Sequence, residues 1–142
     1  MVCIVITQRY ERRLMKFLHT MIRVVDLNKS IEFYTNVLGM SVLDRFENQE
    51  YRYSLVFVGS PDQPDGATIE LTYNWDAGSY DLGNAFGHMA FGCEDIYAAC
   101  EKIKALGGNV TREPGPMKGG ETHIAFIKDP DGYPIELIQT KQ

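Results

Sequence analysis

Little in this sequence can cross-link it. Its three cysteines, Cys3, Cys93 and Cys100, are odd in number and far apart. That is no disulfide framework, and reduced thiols in a cytoplasmic protein are the simpler reading. Positive charge is also short: 14 lysines and arginines face 19 aspartates and glutamates, for a formal net charge of −5. With no basic run, a nucleic-acid partner is not expected. No apolar run approaches the roughly 20 residues that span a bilayer, so no membrane partner is expected either. No secretory leader is expected from residues 1–14 either. Residues 1–14 put an apolar stretch ahead of a basic one, the reverse of a signal sequence, and no small-residue cleavage site follows. We expect these residues to be an extension upstream of a natural start at Met15, where a strand pattern begins, and to lie outside the fold. Residues 15–142 would then form a single domain.

What is present is enough apolar material for a core, 44% of 142 residues, and a repeat. A shift of 69 positions lays His19 on His88, Asp26 on Asp95 and Gly39 on Gly108. It also lays Leu27, Ile31 and Tyr34 on Ile96, Cys100 and Ile103. Each half therefore reads as a His-bearing strand, a capping Asp, an apolar helical stripe and a helix-ending Gly, Gly39 in the first and the pair Gly107-Gly108 in the second. Strand patterns follow at Ser41–Phe46, Tyr53–Val58 and Ala67–Tyr73, and again at Asn109–Arg112, Thr122–Ile127 and Pro134–Gln139. The Asp-Pro-Asp-Gly run at Asp129–Gly132 marks a turn between the last two. Each half is predicted to be β-α-β-β-β, over about 15–73 and 87–140. The fold class is α+β, and residues 74–86 connect the halves.

Alternation along a strand puts Glu70, Thr72 and Asn74 on one face, with Ile69, Leu71 and Tyr73 on the other. In the second half Glu136 stands between Ile135 and Leu137. A glutamate inside Ile-Glu-Leu is costly if merely buried. Each half thus offers one His from its first strand and one Glu from its last. Taken singly, a strand histidine is more often structural, and a strand glutamate usually faces water. Recurrence at equivalent places favours ligation. His19, Glu70, His88 and Glu136 would suit a borderline divalent ion, whose charge two carboxylates cancel. His123 has no counterpart and reads as an ordinary strand residue. Cys93 and Cys100 read as core packing.

Several segments resemble the glyoxalase I (lactoylglutathione lyase) family of the vicinal-oxygen-chelate superfamily. They are Leu18–Val24, Ile69–Trp75, Tyr80–His88, Gly115–Gly120 and Asp129–Glu136. The resemblance runs from about Met15 to the C-terminus, in a short bacterial form. It implies paired β-α-β-β-β modules and a homodimer. One metal site would lie at each end of the interface, built from His19 and Glu70 of one chain and His88 and Glu136 of the other. The implied metal is Ni2+ or Co2+, with Zn2+ possible. The implied reaction is isomerisation of the methylglyoxal–glutathione hemithioacetal to S-D-lactoylglutathione, with glutathione as co-substrate. The family likeness gives Glu136 the base role, while the sequence by itself does not choose between Glu136 and Glu70. Arg23 and Asn74 match positions that hold glutathione, where a guanidinium and an amide suit its carboxylates and amides. The Gly115–Gly120 loop either closes over substrate or only connects strands. An extradiol dioxygenase or a fosfomycin-modifying thiol transferase on the same scaffold would need three protein ligands, whereas four positions are filled. A bleomycin-resistance-like binder would need none.

Overall fold

The computed structural model describes residues 14–140. The expected extension therefore lies outside the described residues except for Leu14, as does Cys3. Eight strands form two mixed sheets of four, ordered β1-β4-β3-β2 and β5-β8-β7-β6. In the first half, β1 (His19–Arg23) leads to helix α1 (Leu27–Glu32), then β2 (Ser41–Asn48), β3 (Tyr53–Gly59) and β4 (Thr68–Asn74). In the second, β5 (Met89–Cys93) leads to helix α2 (Ile96–Ala105), then β6 (Asn109–Pro116), β7 (His123–Lys128) and β8 (Pro134–Gln139). The first strand of each half runs parallel to its last, and all other pairings are antiparallel. Both modules thus have the expected β-α-β-β-β order.

Three expectations shift. The strand pattern expected from Met15 starts at His19, and Leu14, Met15, Phe17 and Leu18 lie exposed ahead of it. His88 sits one residue before β5 rather than inside it. Strand β6 runs on through Gly115 and Pro116, which the sequence assigned to a loop. A bulge between Arg112 and Gly115 in its pairing with β7 takes up Glu113 and Pro114, and Gly115 and Pro116 then pair with Ile124 and His123. The Arg112 guanidinium holds that stretch together by donating to the carbonyls of Ile124 (2.7 Å), Pro116 (2.9 Å) and Gly115 (3.2 Å).

The helix caps form as read. The Asp26 carboxylate accepts from the Lys29 N–H, and Asp95 from those of Tyr97 and Ala98. The helix ends differ by one residue. Thirteen positions separate Asp26 from the left-handed Gly39, but twelve separate Asp95 from the left-handed Gly107. The extra residue is taken up by a π-helical turn, Phe33–Val37, that continues α1. Gly108, which the repeat aligns with Gly39, serves instead as a close contact: a Cβ there would lie 2.5 Å from the Ile103 side chain.

One hydrophobic core joins the halves. Val56, Val58, Ile69 and Leu71 from the first sheet are buried in the same cluster as Ala125, Ile127, Ile135 and Leu137 from the second. Burying a side chain of this size stabilises the fold by about 1.5–3 kcal/mol. Cys100 is buried there and Cys93 packs at its edge. The polar seam between modules is the Asp129–Gly132 turn, which reaches under α1. The Tyr34 hydroxyl, fully buried, donates to Asp129 Oδ2 at 2.7 Å. Asp131 accepts from the Val25 N–H at 2.8 Å and the Ser30 hydroxyl at 3.2 Å. The Tyr133 hydroxyl donates to the Arg23 carbonyl at 2.7 Å.

Burial holds the Asp129 carboxyl above its ordinary range, with the Tyr34 hydroxyl opposing the shift. A carboxyl raised in the folded state stabilises the fold most when protonated, and that contribution is lost as pH rises through its folded value. Relative to Asp129→Asn, the natural chain should therefore gain thermal stability as pH falls from about 7 to about 4.5. Paired melts check this, and an equal gap at both pH values would contradict it. Tyr34→Phe strips Asp129 of a buried donor and should cost about 1–3 kcal/mol at neutral pH, read by denaturant unfolding.

Candidate metal centre

Each sheet buries one face against the core and turns the other outward. On the outward face of the first, His19, Met21 and Arg23 from β1 lie beside Glu70, Thr72 and Asn74 from β4, with Met21 paired to Glu70. Phe57 of β3 stands across from Glu70 on the other side. The second sheet repeats this arrangement: Ala90 pairs with Glu136 on one side and Phe126 on the other. His88 completes the set from the residue before β5.

The two His–Glu pairs are near copies. His19 Nε2 lies 3.6 Å from Glu70 Oε1, with side chains 38% and 15% exposed. His88 Nε2 lies 2.8 Å from Glu136 Oε2, with side chains 39% and 17% exposed. Each imidazole meets a phenylalanine edge-on, His19 against Phe57 at 5.5 Å and His88 against Phe126 at 5.2 Å. These two phenylalanines were not singled out from the sequence, although the shift of 69 that aligns the histidines aligns them as well. Their rings back the histidines on one side and leave the carboxylates on the other.

Among the described residues no lysine or arginine pairs with Glu70 or Glu136. Glu70 Oε2 accepts from the Thr72 hydroxyl at 2.9 Å. Each glutamate is thus mostly withdrawn from water with only a histidine for a charged neighbour. Imidazole nitrogen and carboxylate oxygen aimed at one point are the donors that a borderline divalent ion prefers. Two donors make half a site. The structure brings His19 to Glu70 and His88 to Glu136, but it does not bring the pairs together: no group of three such side chains is close enough to hold a metal among the described residues.

Arg23 is exposed at the end of β1, and no carboxylate among the described residues pairs with it. Asn74 shares the face with Glu70, and its Nδ2 donates to the Tyr80 hydroxyl at 3.0 Å. Tyr80 therefore ties the connecting segment to the rim of this face. Exposed apolar side chains lie on this sheet and just ahead of it: Met21 paired to Glu70, Phe46 on β2, and Phe17 and Leu18 before β1. His123 lies apart from both pairs, with Nδ1 2.7 Å from the Tyr97 hydroxyl.

A family model described as Glyoxalase/Bleomycin resistance protein/Dioxygenase superfamily matches residues 16–137. The chain belongs to this superfamily. Within it, the chain is 66% identical over 127 residues to a "Probable lactoylglutathione lyase" of Vibrio cholerae, covering 89% of this chain and 92% of that one. It is 61% identical to a lactoylglutathione lyase of Salmonella typhimurium, covering 89% and 94%. Among solved structures it superposes on glyoxalase I from maize with a TM-score of 0.85 and 44% identity, covering 89% of this chain but 45% of the maize chain. It thus spans less than half of the maize protein's length. The trypanothione-dependent glyoxalase I of Leishmania major matches with a TM-score of 0.79 and 40% identity, covering 89% and 87%. The two solved structures share this chain's fold over 89% of its length.

Phe126→Ala removes the ring that backs His88 and part of the second sheet's apolar surface. It should cost about 1–3 kcal/mol, less than a fully buried phenylalanine because Phe126 is half-buried. Denaturant unfolding checks this, and Phe57→Ala should behave alike.

Proposed function

We propose that this chain is a lactoylglutathione lyase that works as a homodimer. Each active site would join His19 and Glu70 of one protomer to His88 and Glu136 of its partner around one divalent metal. The observation that carries this reading is the pair of matched half-sites held apart within one chain. Half a ligand set on each of two outward faces calls for a second copy, and a two-fold axis then completes two sites at once. The lyase relatives at 58–67% identity supply the reaction.

The substrate would be the hemithioacetal of methylglyoxal and a thiol, with glutathione favoured. Bound at these four residues, the metal supplies Lewis acidity toward the oxygens that become negatively charged as the carbon acid ionises. The chain supplies the rest. The Glu136 carboxylate takes the proton from the sulfur-bearing carbon and returns it to the neighbouring carbon, turning hydroxyl-thioether and ketone into thioester and alcohol with no net change in atoms. Glu70, fixed by the Thr72 hydroxyl, would remain a ligand. Arg23 would hold a carboxylate of the thiol by a charge-assisted hydrogen bond, and Asn74 an amide. The apolar rims exclude water from the reacting carbons. Nickel or cobalt is proposed as the native metal, zinc as a weaker substitute, and the cytoplasm as the location. In support, no helix among the described residues is long and apolar enough to cross a membrane.

Thioester absorbance with methylglyoxal and glutathione tests the reading. Activity should vanish on chelation and return with nickel or cobalt more fully than with zinc. Glu136→Gln should lower turnover by about 10²–10⁴-fold, more than Glu70→Gln does at equal metal occupancy. Retained turnover in Glu136→Gln would remove it as the base. The shared site has its own test. His19→Ala and His88→Ala chains, each inactive alone, should regain about a quarter of natural activity when mixed and refolded, since half the dimers carry one intact site. No recovery would place all four ligands within one chain. Trypanothione in place of glutathione decides the thiol.

A further inference from the structure

The exit of β1 is held by the other module. The Tyr133 hydroxyl donates to the Arg23 carbonyl at 2.7 Å. Two residues on, the Val25 N–H donates to Asp131 Oδ1 at 2.8 Å, and Asp131 Oδ2 takes the Ser30 hydroxyl at 3.2 Å. The turn that presents both groups is itself pinned. Asp129 Oδ1 accepts from the N–H groups of Asp131 (2.9 Å) and Tyr133 (2.8 Å). The Tyr133 ring is buried and meets Phe86 edge-on at 6.0 Å. Phe86 stands two residues before His88, and Tyr133 three residues before Glu136.

The fold itself does not demand this anchor. The second module makes the matching strand exit, from Cys93 toward α2, with its own residues: the Thr140 N–H donates to the Cys93 carbonyl at 2.8 Å, and Gln139 Oε1 takes the Ile96 N–H at 3.3 Å. No hydroxyl crosses from the first module to do so among the described residues. At the exit beside Arg23 the hydroxyl comes from the other module. Arg23 itself is exposed, and among the described residues no carboxylate pairs with its side chain. Its backbone fixes the point and bearing from which the side chain leaves the strand, and a small misplacement of a substrate clamp carries a large kinetic penalty.

We infer that Tyr133 is a positioning residue for the thiol end of the substrate, its hydroxyl fixing the Arg23 carbonyl and so aiming the Arg23 guanidinium. The inference rests on the reading of Arg23 as the group that holds a thiol carboxylate. It acts within one chain, so each protomer sets its own Arg23 from the turn that leads into the strand carrying its own Glu136.

A double-mutant cycle tests it, with KM and kcat for the glutathione hemithioacetal and metal content measured for Tyr133→Phe, Arg23→Ala and the pair. Tyr133→Phe keeps the ring and its contact with Phe86. It should raise KM about 3–10-fold with kcat within about twofold and metal content unchanged. With Arg23→Ala already present it should raise KM no further. Asp131→Asn, which weakens the neighbouring grip on Val25, should move KM in the same direction and guards against misfolding of the first variant. A natural KM in Tyr133→Phe, with or without a lower melting temperature, overturns the inference. So does an equal rise in both backgrounds, since Tyr133 would then act apart from Arg23. Should Arg23→Ala leave KM unchanged, the assignment of Arg23 is at fault and the inference falls with it, an outcome distinct from the first two.

Discussion

A carboxylate mostly withdrawn from water has to be balanced, and in this chain Glu70 and Glu136 are each left with one histidine. Burying a charge is expensive unless something of opposite sign is near. An imidazole nitrogen beside a carboxylate oxygen is a donor set suited to gathering a cation. Each half-site therefore supplies two of the donors that a divalent ion takes. The outward sheet faces and the histidines on them are arranged around where these two glutamates stand.

Duplication explains how two such faces arise in one chain, but the halves are not joined symmetrically. Their shared apolar core could be met by many packings. The polar seam is more selective, because Tyr34, Ser30, Val25 and Arg23 on one side find Asp129, Asp131 and Tyr133 on the other with defined donors and acceptors. Buried hydrogen-bonded groups of this kind penalise any arrangement that leaves them unpaired. The seam thus fixes the relation of the modules inside a chain, while the two His–Glu faces point outward.

Much of this was legible in residues alone. The histidines, capping aspartates and helical stripe repeat at one spacing, and the glutamates betray themselves by interrupting Ile-x-Leu strands. Phe57 and Phe126 repeat just as strictly, yet a phenylalanine in a strand signals nothing by itself, and its service to a histidine appears only once ring meets ring. The Asp-Pro-Asp-Gly run was readable as a turn, since those residues favour one in any context. Its grip on α1 was not, because the Asp131–Val25 bond joins positions 106 apart. Strand β6 was cut short because glycine and proline argue against a strand, and the bulges that overrule them depend on Arg112 folding back on its own backbone. The β1 start was placed early because apolar alternation marks a surface to be covered, whether by this chain's sheet or by another molecule.

The single added residue in the first helix has a consequence for how the modules tell themselves apart. A helix advances about 100° per residue, so an insertion turns every later side chain to a new bearing. The π turn absorbs that rotation in the same stretch that carries Tyr34. Ile103, its counterpart by repeat, stands in a helix without the turn and has no hydroxyl to offer. One module therefore carries a key and the other a lock, cut from the same original pattern. Two copies of the first module could not seat against each other as these do, nor could two of the second. Handed this way, the two halves of one chain meet through unlike groups, and neither can stand in for the other.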